Sequence, residues 1–412
     1  MKQRIKKMLI LLMILFTFVI FNKTLMAAEY NIIQSVDFTG PYAVIMPAMD
    51  MTAQIYFAWW NEEVGKKLGV KLNRRSYDTR YDPALTASLW PGILAGEKPP
   101  LYLGLGGPDV AALMKRLPKD KVPLLMSTAT YGFIWLPNQW VFQPRPTYVH
   151  EGAGFFNWVR QNKIKDRPIR IGMINSKASP AYVDAVNGTK AFCKATSWAE
   201  FAGVEWVKVK PISLVSEVRR LAKKKPDYIH IMTNTYQGLG CIKALKELGI
   251  HIPVVLSSHN GIQNSVMACK DINVLEGHYD TYAFDAALDL SLPGAQIFEK
   301  YNKKLGLKAK WSLITLQVAN QCALGFKAIE KAIKKVGPDN VTGEAVYNAF
   351  LSGSFTEQDL QGLSPTQTFT KAAPFSEKEP KVMCTTVKNG KQVMIGGGWI
   401  PVPPVPKWVK KR

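Results

Sequence analysis

Ile169-Arg170-Ile171-Gly172-Met173-Ile174, then Ala181–Thr196, then Val204-Glu205-Trp206-Val207-Lys208-Val209 set an apolar run, an amphipathic segment and a second apolar run in series. The series continues with Leu214–Lys224 as helix, Tyr228–Met232 as strand, Leu239–Leu248 as helix and Pro253–Ser257 as strand. Strands separated by helices of about 10–20 residues build parallel sheets covered on both faces. Upstream the pattern occurs a first time. Asn31–Val36, Val70–Tyr77, Leu101–Leu105 and Val122–Met126 read as strands, with helices at Pro47–Lys67, Pro83–Ala95 and Asp109–Arg116 between them. Two such series predict an α/β fold of two doubly wound parallel-sheet lobes. A length of 412 residues agrees, being more than one core usually serves.

Between the series, Leu136-Pro137-Asn138-Gln139 through Pro144-Arg145-Pro146 is rich in turn formers, and Tyr148–Asn162 reads as a helix, so the lobe change is expected near Thr147. Further on, Leu313–Lys335 predicts a long helix and a shorter one follows Thr342 to about Leu351. Val382–Val387 and Lys391–Ile395 flank Asn389-Gly390, a strong hairpin signal. Residues 396–412 have no periodicity and are expected to form an extended tail.

Lys2, Arg4, Lys6 and Lys7 precede an unbroken run from Met8 to Phe21, and Leu25-Met26-Ala27-Ala28 offers small residues for cleavage. Residues 1–28 thus read as a secretory signal peptide, since the run is shorter than the ~18–20 residues of a spanning helix. Its removal takes the formal charge from +22 to +17. No cysteine sits just after the apolar run, so a freely diffusing exported protein without a lipid anchor is expected. The basic runs Lys223–Lys225, Lys303-Lys304, Lys334-Lys335 and Lys407–Arg412 fall at helix ends or in the tail, where lysines complement the helix dipole and are solvated. They form no nucleic-acid motif. The five cysteines leave at least one thiol unpaired, and Cys241 with Cys269 is the favoured disulfide, against the alternative of five buried thiols.

The nucleophile elbow G-x-S-x-G is absent, as is H-E-x-x-H, because His150-Glu151 is followed by Gly-Ala-Gly. The five histidines have no metal spacing and no cofactor is implied. Gly104-Leu105-Gly106-Gly107-Pro108-Asp109 lacks the third glycine of a dinucleotide loop and is followed by no Gly-Lys-Ser/Thr. It still places backbone N–H groups at a helix start, where they can bind a carboxylate or carbonyl oxygen. Residues just after the strands are the ligand candidates in such sheets. Here they are mostly hydroxyl, amide and aromatic, which suits orienting a small polar or aromatic molecule.

Several short motifs in order carry a resemblance: Asp37-Phe38-Thr39-Gly40-Pro41-Tyr42-Ala43, Tyr77-Asp78 with Asp82-Pro83, Lys121-Val122-Pro123 into Ser127-Thr128-Ala129, Pro226-Asp227-Tyr228 into Thr233–Tyr236, and Ala244–Ile250. With these the chain resembles the type I periplasmic solute-binding proteins of ABC importers, in the branched-chain amino acid, amide and urea receptor branch. The resemblance implies two hinged lobes, 29–147 with 282–362 and 148–281 with 363–395, the chain crossing near Thr147, Thr281 and Gly362. It places one pocket wall at Tyr42, Gly107, Pro108, Asp109, Ser127, Thr128, Ala129 and Tyr131. The other wall falls at Tyr182, Asn234, Thr235, Tyr236, His259 and Asn260. Amino-acid receptors of the family set an acid after the fourth strand of lobe two, whereas Ser258-His259-Asn260 offers none. A buried ammonium without a counter-charge is costly, so an aromatic or aliphatic carboxylate or amide is favoured. Amino acids stay open, since Asp109, Asp184 or Asp280 could supply the charge. The family's lobe-one disulfide is missing.

The expected function is a monomeric receptor that hands a small organic solute to an ABC permease in the inner membrane. A ligand-sensing partner of a membrane signalling receptor and an exported doubly wound enzyme are the competing classes.

Overall fold

A computed structural model describes residues 27–127, 140–178, 180–208 and 210–408. Apart from Ala27 and Ala28, the expected leader lies outside the described residues, as do the last four residues of the tail. β1 (Ala28–Val36) leads to α1 (Met46–Trp60), which runs on through a π turn to Leu68. β2 (Val70–Asp78) and α2 (Pro83–Glu97) follow. Asp82 starts α2 by accepting from the N–H groups of Ala84 and Leu85 at 2.7 and 2.9 Å, with Pro83 pre-set at the first helical position. β3 (Tyr102–Gly104), α3 (Gly107–Leu113), β4 (Leu124–Met126) and β5 (Val141–Phe142) complete a five-stranded parallel sheet in the order β2-β1-β3-β4-β5.

The second sheet begins after α4 (Tyr148–Asn162). β6 (Ile169–Asn175), α5 (Pro180–Ala195), β7 (Ala199–Trp206), α6 (Val215–Ala222), β8 (Tyr228–His230), α7 (Thr235–Glu247), β9 (Val254–Ser257), α8 (Ile262–Cys269) and β10 (Tyr279–Tyr282) wind in the order β7-β6-β8-β9-β10. α9 (Pro293–Lys304), α10 (Leu313–Val336) and α11 (Gly343–Phe350) then return to the first sheet's core, α10 packing on α1, β3 and β4. After a two-stranded ribbon of β11 (Ser354–Phe355) and β12 (Gln367–Thr368), β13 (Lys381–Lys388) and β14 (Lys391–Pro401) add an antiparallel hairpin to β10. Its Asn389-Gly390 turn has φ of 53° and 67°, the left-handed pair a tight hairpin requires.

Two differences from the sequence reading have local causes. β7 starts at Ala199 instead of Val204, because a bulge before Gly203, at φ 145°, breaks the alternation that marks a strand. β14 continues through 396–401: Gly396, Gly397 and Gly398 take positive φ in a bulge, and the strand re-pairs Ile400 with Val382. The expected disulfide is corrected too. Cys241 and Cys269 are both free, Cys241 sealed in the core beneath α7 and Cys269 at the end of α8 donating to the Asp271 carbonyl at 3.2 Å.

The tail returns across the molecule. Lys407 pairs with Glu377 at 3.1 Å, and Trp408 donates its indole N–H to Asp184 on α5 at 2.8 Å. The ring lies on Gly188, where a Cβ would sit 2.7 Å from it, so only glycine seats the tail. No described helix is long and apolar enough to cross a membrane.

Two stability predictions follow from this packing. Trp408→Ala removes a partly buried indole and its hydrogen bond, and should lower the unfolding free energy by about 2 kcal/mol in urea titration. An unchanged midpoint would detach the tail from the cooperative unit. His230 is buried on α4 with neither ring nitrogen bonded among the described residues, and burial pushes it down to about 3. The folded state keeps this ring neutral while the unfolded chain protonates near pH 6.5. Its contribution is therefore present above that pH and is lost as pH falls towards 3. Wild type should lose stability relative to His230→Leu on acidification from pH 6 to 4 by about 1.4 kcal/mol per pH unit, and an unchanged difference would mean the ring is already charged in the fold.

Candidate functional site

Both sheets share the order 2-1-3-4-5, so each reverses beside its first strand and opens a crevice at the carboxyl ends of β1 and β3 in one sheet and β6 and β8 in the other. The turn after β1 is held by Asp37, whose carboxylate accepts from the Tyr42 N–H at 2.7 Å. Tyr81 packs edge-on to the Tyr42 ring, centroids 4.7 Å apart, and lies on Gly106, where a Cβ would stand 2.7 Å from it. The glycine run after β3 therefore makes room for an aromatic wall.

These ends enclose a hollow with ≈ 370 Å³ of empty space, its open mouth included. Among the described residues eight line it: Tyr42, Ile45, Met49, Tyr81 and Leu105 from the first sheet's loops and helix, Ile314 and Gln317 from α10, and His259 from the loop after β9. Tyr42 and Tyr182 meet across the cleft, hydroxyl to hydroxyl, at 2.9 Å. The His259 ring stands among Tyr148, Tyr42 and Tyr182 at centroid distances of 5.3, 6.2 and 6.5 Å. Burial, aided by Arg145, pushes His259 down to about 3, so the ring is neutral. Its Nδ1 has no hydrogen-bond partner among the described residues. A neutral imidazole inside an aromatic and aliphatic lining can bond one polar atom of a small solute while the rings cover its body.

Beneath the hollow lies a charged layer. Arg145, fully buried in the first crossing segment, pairs with Glu151 at 3.4 Å, donates to Gln317 at 3.5 Å and stacks over Phe284 at 4.7 Å. Ser258 donates to the other Glu151 oxygen at 3.4 Å. Burial raises the Glu151 carboxyl to about 7 against the pull of Arg145. On α10, Gln317, Asn320 and Gln321 form a buried polar stripe in an otherwise apolar stretch. Gln321 donates to the carbonyls of Gly104 and Leu125, and Asn320 accepts from Ser364.

Of the residues expected from the sequence, Tyr42, Tyr182 and His259 come together. Thr128, Ala129 and Tyr131 lie outside the described residues. Gly107 and Pro108 open α3 behind the lining, and Asp109 turns inward to accept from Tyr102, Ser35 and the Gly106 N–H. Ser127 donates to the Leu105 carbonyl, and Asn260 braces its own turn through Ser257 and Ile231. Asn234 caps α7, and Thr235 and exposed Tyr236 lie in its first turn, away from the lining. The acids held in reserve for an ammonium are engaged elsewhere: Asp109 as above, Asp280 by Thr385 and the Ile262 N–H, Asp184 by Trp408. Among the described residues no cluster of His, Cys, Asp and Glu is placed to hold a metal.

Tyr42→Phe deletes the cross-cleft hydrogen bond and should weaken binding of a cleft solute about fivefold, near 1 kcal/mol. His259→Ala removes a polar contact and a wall, and should weaken it about tenfold or more. Unchanged affinity in both, measured by calorimetry, would put the solute elsewhere.

A family model described as periplasmic binding protein matches residues 31–389. No curated protein matches the chain in sequence. Among solved structures, a branched chain amino acid ABC transporter protein from Thermus thermophilus with bound valine is 17% identical with a TM-score of 0.76, over 90% of this chain and 96% of that one. A fatty acid ABC transporter substrate-binding protein from Thermomonospora curvata is 20% identical with a TM-score of 0.72, over 89% and 91%. An R. palustris ABC transporter solute binding protein in complex with benzoate is 16% identical with a TM-score of 0.70, over 92% and 98%. Sheet order, interlobe cleft and family match agree, and the chain belongs to the periplasmic binding protein family with the two-lobed type I fold.

Proposed function

We propose that the protein is the solute receptor of an ABC importer, acting as a monomer in the periplasm and delivering its solute to a permease in the inner membrane. It performs no covalent step. The solute is a small organic carboxylate or amide with an aromatic or aliphatic body. One observation carries the choice of solute: among the described residues none of the eight lining the cleft hollow is an acid, and their rings and aliphatic chains leave only hydroxyl, amide and neutral imidazole for polar contact. An ammonium enclosed there would face no carboxylate and would lose several kcal/mol of hydration without return. The benzoate in complex with one structural neighbour, and the fatty acid in the name of another, are of the favoured class.

A second reading, an amino-acid receptor, is supported by Glu151, a buried carboxyl one hydrogen bond behind Ser258 and next to the His259 loop. A thermal-shift screen on refolded, ligand-free protein separates the two. Aromatic and aliphatic acids and amides should give the largest rise, about 2.7 kcal/mol of stabilisation at a hundredfold excess over Kd. A rise confined to α-amino acids would overturn the solute class and leave the receptor reading standing.

A further inference from the structure

Gln317 stands at the boundary between the buried charged layer and the cleft. It lies one turn along α10 from Ile314, so both side chains share the helix face that lines the hollow. The residue is 2% exposed, and its Oε1 accepts from Arg145 Nη2 at 3.5 Å. A guanidinium only donates, so the end of the amide turned to Arg145 has to be the oxygen. The reversed amide would set N–H against N–H beside a positive charge. Its Nε2 therefore projects the other way. That nitrogen has no hydrogen bond among the described residues, yet it keeps accessible surface. In a residue otherwise buried, the space it meets is the hollow that Gln317 lines.

The other polar side chains of the lining leave little choice of partner for a solute. Tyr81 and Tyr182 are both hydrogen-bonded to the Tyr42 hydroxyl. The Nδ1 of His259 is sealed, while its Nε2 is accessible and has no partner among the described residues. Two nitrogens are thus open to the hollow, an amide on α10 that can only donate and a neutral imidazole on the loop after β9. Of these, Gln317 has its sense fixed. Arg145 also polarises the amide it touches, and a polarised amide makes stronger N–H bonds at its far end.

We propose that Gln317 is the specificity-determining residue of the cleft. Pinned by Arg145 with its donor end inward, it admits solutes whose head group accepts a hydrogen bond there and turns away heads that can only donate. A carboxylate satisfies it with the strongest bond, because the acceptor is ionised. An ammonium would leave donor facing donor in a cleft closed to water, which is costly. The assignment rests on the solute class proposed above and names the side chain that enforces it.

Inverting that one contact tests it. Gln317→Glu keeps the shape and an oxygen for Arg145 but replaces the donor by a second carboxylate oxygen. Titrated calorimetrically into the mature chain at pH 8, where the new carboxyl beside Arg145 is ionised, benzoate and hexanoate should bind the variant about tenfold or more weakly than wild type. Benzylamine should bind the variant more tightly than wild type. A purely structural role would weaken all three alike, and that outcome, or unchanged affinity for the acids, overturns the assignment. If Gln317→Glu fails to fold by circular dichroism, Gln317→Met, which keeps the length and drops the donor, should weaken both acids severalfold. Acids bound by it as tightly as by wild type would overturn the assignment equally. Failure of the solute class reads out in wild type instead: if it takes up neither these acids nor any acid or amide of the thermal-shift screen, the class falls, and selection by Gln317 with it.

Discussion

Burying Arg145 between the two sheets is the constraint around which the rest of the molecule is arranged. A guanidinium removed from water needs a counter-charge and hydrogen-bond acceptors, or it loses several kcal/mol. Glu151, six residues on and at the start of α4, supplies the charge, Gln317 an acceptor from α10, and Phe284 a π face from the second crossing. Each partner belongs to a different segment. Satisfying one ion therefore fixes where the first crossing, the second crossing, α4 and α10 stand relative to one another. The polar stripe of Gln317, Asn320 and Gln321 extends the same device to β3, β4 and the segment before β12.

The cleft above that layer is closed by weaker forces. Between Tyr42 and Tyr182 there is one neutral hydrogen bond, and around His259 there are ring contacts, each worth about 1 kcal/mol. Removing one partner of a buried pair such as Arg145–Glu151 would cost about 3–5 kcal/mol. Strength is thus graded from the hinge outward. Interlobe contacts that can be exchanged for solute contacts at little net cost let the cleft open, while the hinge keeps its geometry. The neutral state of His259 belongs to the same grading, because a charged ring would repel Arg145 below it.

The sheets were legible because their signal is local: apolar runs such as Ile169–Ile174 alternate with amphipathic helices, and Asn389-Gly390 names its own turn. Signals failed where glycines carry bulges, at Gly203 and Gly396–Gly398, since a bulge destroys the alternation that marks a strand. Tyr42, Tyr182 and His259 each lie shortly after a strand, and the family resemblance names them as walls; the sheet order brings those strand ends together. Arg145 and Glu151 could not, because a charged pair looks the same in sequence whether solvated or buried, and His150-Glu151 was weighed only as a metal motif. One clue was present: three amide side chains on α10, at the i, i+3, i+4 spacing that shares a helix face, interrupt a run otherwise apolar. Asp109 shows the reverse error. An acid at a helix start after a glycine turn looks like a ligand contact, yet the strand before it carries Tyr102, and Ser35 of β1 lies beside them, so the carboxylate is consumed in bracing the turn.

The buried ionisable groups divide into two sets whose pH dependences oppose each other. Burial raises Asp280 to about 7 and Asp285 to about 6, so the fold favours their protonated forms, a contribution complete below about pH 4 and lost as pH climbs towards 7. His150, His230 and His259 are pushed down to about 3, so their contribution is complete above about 6.5 and lost as pH falls. Between about 4.5 and 6.5 the carboxyls make stability fall with rising pH, and the imidazoles make it rise. The two sets thus slope in opposite directions. A fold that buries only acids or only imidazoles would tilt steeply across this range. One that buries both is tilted less through the mildly acidic range.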